Sequence, residues 1–172
     1  MSTTKEGRIQ IKNAGIVLLN SYIPLFFERI NLQNEHAFIN KETQLDAVHF
    51  LQNLVTGHTH TDEYELPLNK ILCGLPISTP IKEGVEISED QKNIVTGLLN
   101  AFIAYWPAIG NSSIKGLREN WLIRDGLLTE KEDRWELIVE KRAYDLLIHK
   151  SPFSFSIIKY PWMSKPIHVI WV

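Results

Sequence analysis

Residues 126–140 read GLLTEKEDRWELIVE, and in this stretch the spacing of apolar residues changes from the period of a helix to that of a strand. Two apolar runs lie on either side of a polar turn at residues 130–134. In the second run Trp135, Leu137 and Val139 share one face, as every second residue of a strand does. The stretch therefore predicts a β-hairpin.

Upstream of the hairpin, apolar residues recur every three or four positions, which is typical of helices with one buried face. Start and stop signals support these helices: Asn40 and Ser113 are predicted N-caps, Ser88 and Gln91 form a predicted capping box, and Gly57 is a predicted stop. The predicted helices are residues 16–30 with a kink or a restart at Pro24, residues 41–55, residues 66–73, a helix from Ser88 to before Pro107, and a helix from Ser113 to the pair Asp125-Gly126.

Strand signals also occur near both ends of the chain. Residues 8–12 alternate apolar and polar side chains, and residues 167–172 are rich in β-branched and aromatic residues, so the second segment is expected to pair with the hairpin. We also predict a short helix at residues 143–149. The predicted fold class is α+β, mainly helical, with a small antiparallel sheet from the C-terminal half, which the N-terminal strand is free to join. We expect residues 1–172 to form a single globular domain, with residues 1–7 disordered.

Composition excludes several classes of function. Apolar residues make up 44% of the 172 residues and charged residues 22%, as in soluble globular proteins. The 18 basic residues are interleaved with 20 acidic ones, for a net charge of −2, which argues against a nucleic-acid partner. The apolar stretch near the N-terminus is interrupted by Asn20 and Pro24, so no membrane insertion is expected. A single cysteine, Cys73, excludes an internal disulfide framework.

The loop at residues 57–63, GHTHTDE, is the one candidate metal site. His58 and His60 lie two residues apart, and Asp62 and Glu63 follow them as further candidate ligands. A zinc site needs three or four protein ligands, and the chain contains no HExxH or CxxC pattern that would complete the set. We therefore favour a solvated loop and expect no cofactor. A metal-dependent enzyme centred on this loop is the alternative hypothesis.

Candidate partner-binding residues come from the aromatic-rich C-terminal segment and from polar residues on two predicted helices. The stretch YPWMSKP at residues 160–166 contains two prolines that keep it out of the sheet, and it is expected to present its aromatic residues on an exposed turn. The polar face of the helix at residues 41–55, with Glu42, Asp46 and Gln52, is expected to face water or a partner. Lys70, within an apolar helix, is expected either to pair with a buried carboxylate such as Glu65, which we favour, or to face a partner. The candidate residues are Trp162, Tyr160, Met163, Glu42, Asp46 and Lys70.

Several motifs resemble one protein family when they are read in order. They are NAGIVLLNSYIPLFFERI (13–30), ELPLNKILCGLP (65–76), YWPAIGNSSIKGLRENWLIRDGLL (105–128), KRAYDLLI (141–148) and SFSIIKYPWMSKPIHVIWV (154–172). Together they are similar to the tape measure proteins of contractile injection systems, which are phage-tail-like particles of bacteria. The resemblance runs from about residue 9 to residue 172, and none of its motifs is a catalytic pattern.

The resemblance implies a non-enzymatic assembly component, related to proteins that set the length of the inner tube. The implied partners are inner-tube, baseplate hub or spike, and cap proteins, with assembly in the cytoplasm followed by incorporation into the particle. Homo-oligomerisation is left open, and a chaperone for a toxin or cargo is a third hypothesis. A folded chain of this length has a radius of gyration of only about 16 Å. We therefore expect either a globular domain of a longer ruler or a short adaptor.

Overall fold

The computed structural model describes residues 7–171, and it confirms the α+β class. Helices account for 47% of the residues and strands for 17%, so the fold is mainly helical. The expectation of disorder for residues 1–7 falls outside the described residues, apart from Gly7.

The α-helices follow their local start and stop signals closely. They are α1 (Ile23–Arg29), α2 (Lys41–Thr56), α3 (Pro67–Leu72), α4 (Glu89–Ala104) and α5 (Ile114–Leu117). Asn40 accepts a hydrogen bond from the backbone N–H of Thr43 at the start of α2, and Gly57 ends this helix with a φ of 82°. Ser88 and Gln91 form the predicted capping box of α4. Each signal depends on atoms only a few residues apart, which is why the sequence reveals it.

Three predicted helices are correct in position but differ in type. The first begins as a 3₁₀ helix, Ala14–Tyr22, and continues as α1 with Pro24 in its first turn, so the proline restarts the helix. The helix capped by Ser113 is α5 followed by a π-helix, Arg118–Leu122. The helix predicted near residue 143 is a 3₁₀ helix, Ala143–Lys150. Two shorter 3₁₀ turns are Glu63–Glu65 and Pro107–Ile109.

Five strands form the main sheet, in the spatial order β1-β4-β5-β7-β6. These strands are β1 (Arg8–Ile11), β4 (Gly126–Glu130), β5 (Trp135–Val139), β6 (Ile157–Ile158) and β7 (Ile167–Ile170). The predicted hairpin is β4 and β5, and the N-terminal strand pairs with β4. A separate two-stranded sheet, β2 (Gln33–Asn34) and β3 (Ala37–Phe38), was not predicted.

One feature of the main sheet corrects the sequence prediction. Strand β7 pairs with the hairpin as expected, but it runs parallel to β5. The sheet is therefore mixed rather than wholly antiparallel. Residues 140–166 form a crossover that returns the chain to the end of the sheet where β5 begins, and a connection of this length is what a parallel pair requires.

The core lies between the inner face of the sheet and the helices. At its centre is the 3₁₀ helix Ala14–Tyr22, whose first six residues are all buried. A helix that is apolar on every side needs packing partners all around it, and this one contacts α2, β5 and the π-helix. Its Gly15 passes so close to the π-helix that an added Cβ would overlap the carbonyl oxygen of Trp121. The described buried apolar residues form one continuous cluster.

Candidate partner-binding surfaces

The histidine loop does not assemble its candidate metal ligands. His58 and His60 are exposed, and Nδ1 of His60 forms a hydrogen bond with the hydroxyl of the neighbouring Thr59 at 3.0 Å. Between residues 7 and 171 no three His, Cys, Asp or Glu side chains converge to hold a metal ion. The geometry of His58, His60 and Asp62 therefore does not favour a metal centre.

The buried side chain of Lys70 holds the end of this loop against the core through Glu63. Its side chain is only 3% exposed, and its ammonium lies 3.2 Å from the carboxylate of Glu63 and donates a hydrogen bond to the carbonyl of Ile77 at 3.1 Å. The other Glu63 oxygen accepts from the backbone N–H of Ile81 at 3.0 Å. That hydrogen bond, assisted by Lys70 against the effect of partial burial, holds the pKa of Glu63 below its ordinary value.

The position of Lys70 excludes one of the two alternatives for this residue and changes the expected partner in the other. A buried lysine cannot face a partner in this conformation, and the carboxylate that pairs with it is Glu63 rather than Glu65. The pairing satisfies a charge that would otherwise be costly to bury. Lys70 therefore has a structural role here.

A buried cluster of amide side chains lies next to Lys70. Nδ2 of Asn13 donates to Oδ1 of Asn69 at 2.6 Å and to Oε1 of Gln52 at 2.8 Å. Nδ2 of Asn69 donates to the carbonyl of Val48 at 3.0 Å. Gln52 was expected to face water or a partner, but it is buried in this cluster. The three amides join the start of the central 3₁₀ helix to α2 and α3, since buried amides are stable only when paired.

The predicted acidic surface on α2 is present, although it is partly neutralised. Glu42 is exposed, and the ammonium of Lys82 lies 2.9 Å from its carboxylate and 3.8 Å from that of Asp46. Partial burial raises the pKa of Asp46, with Lys82 opposing this effect. Exposed ion pairs of this kind contribute about 0–1 kcal/mol, so an incoming cation could replace Lys82. Partner binding by Glu42 and Asp46 stays a prediction.

The segment at residues 160–166 is attached to the core rather than displayed on a free turn. Tyr160 and Met163 are buried, and Trp162 is half-buried. The indole N–H of Trp162 donates to the carbonyl of Leu72 at 2.8 Å, and its ring lies 5.7 Å from that of Phe38. The expected exposure of this segment is therefore wrong for Tyr160 and Met163, because distant apolar residues cover them. The accessible part of Trp162 stays a candidate contact.

A buried ion pair that the sequence analysis did not predict joins Arg124, just after the π-helix, to Asp145 in the 3₁₀ helix Ala143–Lys150. Arg124 is 0% exposed, and its Nη1 donates to Oδ2 of Asp145 at 2.7 Å. The same carboxylate oxygen accepts from the indole N–H of Trp171 and the backbone N–H of Arg142, each at 2.9 Å. Burial by itself raises the pKa of Asp145, but these donors outweigh it and hold the pKa below its ordinary value. The available signal was that both residues lie within the family-like motifs.

The structure also has two apolar surfaces that the sequence analysis did not predict. On the outer face of the sheet, Leu127, Ile138 and Ile170 are in register across β4, β5 and β7, and the last two are exposed. The second surface is a groove of about 600 Å³ between α1 and α4. Its signal in the sequence was Gly97, a glycine in the middle of a strongly predicted helix.

The fold and these contacts define an α+β protein whose buried charged and amide groups join its own segments to one another. A model of the contractile injection system tape measure protein family matches residues 1–171, and the chain belongs to this family. Members of this family are structural tape measure components of the injection particle. The match confirms the family resemblance inferred from the sequence motifs. No curated protein and no solved structure matches the chain. Among the helices of residues 7–171, none has both the length and the apolar character needed to cross a bilayer.

Proposed function

We propose that this chain is a non-enzymatic assembly component that binds other proteins of the injection particle, namely inner-tube, baseplate hub or spike, or cap proteins. The observation that supports this proposal is the family match, which extends over residues 1–171. The proposal includes a single globular domain over residues 1–172 and assembly in the cytoplasm before incorporation into the particle.

The proposed action is docking rather than direct measurement of length by an extended rod. The longest described helices, α2 and α4, have 16 residues each, which corresponds to about 24 Å. A folded chain with helices of this size presents surfaces to its neighbours. The first proposed contact is the exposed carboxylate of Glu42 with Asp46 beside it, and the second is the accessible edge of Trp162.

Co-purification tests the proposal. The chain is produced with each tube, hub, spike and cap protein encoded with it, and at least one stable complex is expected. If none of these proteins co-purifies with the folded chain, the proposed function is wrong. Elemental analysis of protein purified without a histidine tag tests the metal alternative, which requires a stoichiometric metal ion.

Charge reversal tests the first contact. Glu42→Lys reverses one charge of the acidic surface, and Glu132→Lys makes the same change at an exposed position in the hairpin turn. Only the first variant is expected to weaken the complex. Equal binding by both variants would remove the acidic surface from the proposal. Trp162→Ala tests the second contact, and its thermal unfolding is compared with that of wild type, because this side chain also packs against the core.

A further inference from the structure

The groove between α1 and α4 has two ends of different character. The side chain of Gln91, near the start of α4, reaches the carbonyl of Ile30 at 3.5 Å, so the end of α1 lies beside the start of α4. At the other end, the ring of Tyr22 lies 5.8 Å from that of Phe102, near the end of α4. The two helices are therefore antiparallel, with Arg29 at one end of the groove and tyrosines at the other.

The floor of the groove exposes the backbone of α4. Gly97 lies in the middle of this 16-residue helix, where glycine is less favourable than alanine by about 0.5–1 kcal/mol. Packing within the chain does not explain this residue, because a Cβ added at Gly97 would meet nothing within 4 Å. Ala101 lines the groove one turn later. The empty space lets another chain approach α4 more closely than a larger side chain would allow.

The walls of the groove have the composition of a protein interface. Leu25 is 51% exposed and Tyr105 is 66% exposed, so the lining of the groove presents two large side chains to solvent. The remaining floor is apolar, with Phe26 and Leu98 among its residues. Apolar floors bordered by tyrosine and arginine are typical of the central parts of protein interfaces.

Arg29 determines the charge of the occupant. Of the described residues that line the groove, it is the charged one, and its guanidinium has no ion pair or hydrogen bond with any residue between 7 and 171. A second copy of this chain would bring another Arg29 and no carboxylate from its own groove. Charge complementarity therefore favours a different, acidic occupant.

We infer that the groove between α1 and α4 binds an amphipathic, acidic α-helix of another injection-particle protein. The lining residues on this side extend from Ile94 of α4 to Tyr105, just after the helix, a length of about 16 Å, which matches a helix of three turns. Small or apolar residues of this helix pack over Gly97, and an Asp or Glu near one end pairs with Arg29. The inference rests on the proposed function, because that function supplies the class of partner.

Peptides that tile the tube, hub, spike and cap proteins test the inference by fluorescence anisotropy. At least one peptide with helical spacing of apolar residues and a carboxylate at one end is expected to bind. Gly97→Leu fills the groove and is expected to weaken binding about tenfold or more, which corresponds to about 1.4 kcal/mol. The matched control is Thr96→Leu, which adds the same side chain to an exposed position of α4 outside the groove. The unfolding temperature of both variants must be at least that of wild type, so that weaker binding is not caused by a loss of folding.

Charge is tested in the same assay. Arg29→Glu is expected to weaken binding of the acidic peptide. Lys12→Glu changes an exposed lysine that lines a different pocket, and it is expected to leave the binding unchanged. The inference is overturned if no peptide binds, if Gly97→Leu and Thr96→Leu bind alike, or if Arg29→Glu binds like wild type. A dimer in analytical ultracentrifugation that Gly97→Leu abolishes would identify a second copy as the occupant and also overturn it. The proposed function would stand if full-length proteins of the particle still co-purified with these variants.

Discussion

Replacing Asp145 by alanine leaves a guanidinium inside the protein without its counter-ion. Arg124 is 0% exposed, and three aromatic rings surround it, with that of Trp171 at 5.0 Å. Removing one partner of a buried ion pair costs about 3–5 kcal/mol. The indole N–H of Trp171 and the backbone N–H of Arg142 lose the same acceptor.

The remaining contacts of Arg124 limit the loss. Its guanidinium still donates to the carbonyls of Glu140 and Asn120, at 3.0 and 2.7 Å. We therefore expect the free energy of unfolding to fall by about 4 kcal/mol in Asp145→Ala. Asp145→Asn keeps an acceptor oxygen and the side-chain shape, so its loss should be about 2 kcal/mol.

Urea unfolding followed by tryptophan fluorescence measures both losses, and an unchanged m-value shows that the variants unfold in the same transition. The single variant Arg124→Met and the double variant Arg124→Met with Asp145→Ala complete a mutant cycle, and the double variant contains no unpaired buried charge. It should be more stable than the sum of the single losses predicts, with a coupling energy of about 2 kcal/mol. A loss below about 1 kcal/mol in Asp145→Ala, or additive losses in the double variant, would refute the reasoning.

Acid adds a second readout of the same pair. Because the pKa of Asp145 is lower in the folded protein than in the unfolded chain, its contribution is fully present above the ordinary aspartate pKa of about 3.9. It is lost as the pH falls from there through the lower pKa of the folded protein. Asp145→Asn should lack this part of the acid destabilisation.

Three further predictions concern single positions in the core and in the groove. Gly15→Ala should lower the free energy of unfolding by about 3 kcal/mol, because its methyl group would overlap the carbonyl of Trp121, and thermal unfolding measures this loss. Gly97→Ala, the same change in open space, should instead raise stability by about 0.5–1 kcal/mol in the same assay; a loss would mean that the groove is not empty. Burial lowers the pKa of His49, whose Nε2 lies 2.6 Å from the carbonyl of Lys82. The free energy of unfolding should therefore fall as the pH drops below about 6.5, the ordinary histidine pKa expected in the unfolded chain. Unfolding at pH 7.5 and 5.5 should show a smaller difference for His49→Gln than for wild type, and equal differences would contradict this assignment.

The parts of the candidate surfaces that the sequence predicted well are those set by local spacing. Glu42 and Asp46 lie four residues apart on one helix, so their shared surface follows from the helical period. The burial and the contacts of Lys70 and Trp162 could not be predicted from local spacing. Trp162 donates to Leu72, 90 positions earlier in the chain, and Glu63 meets Lys70 only because of the turn at Glu63–Glu65, which local spacing does not specify.

The amino-acid sequence by itself determined the hairpin and the starts of α2 and α4, because the capping box of Ser88 and Gln91 and the alternation in β5 act over a few residues. It also determined the family, through motifs distributed along the chain. Only the tertiary structure decided that β7 runs parallel to β5, that Arg124 and Asp145 form a buried pair, and that the space over Gly97 is empty. These features depend on how the chain returns through space and on which side chains then exclude water. Local spacing does not encode either property, since each depends on contacts between residues far apart in the sequence.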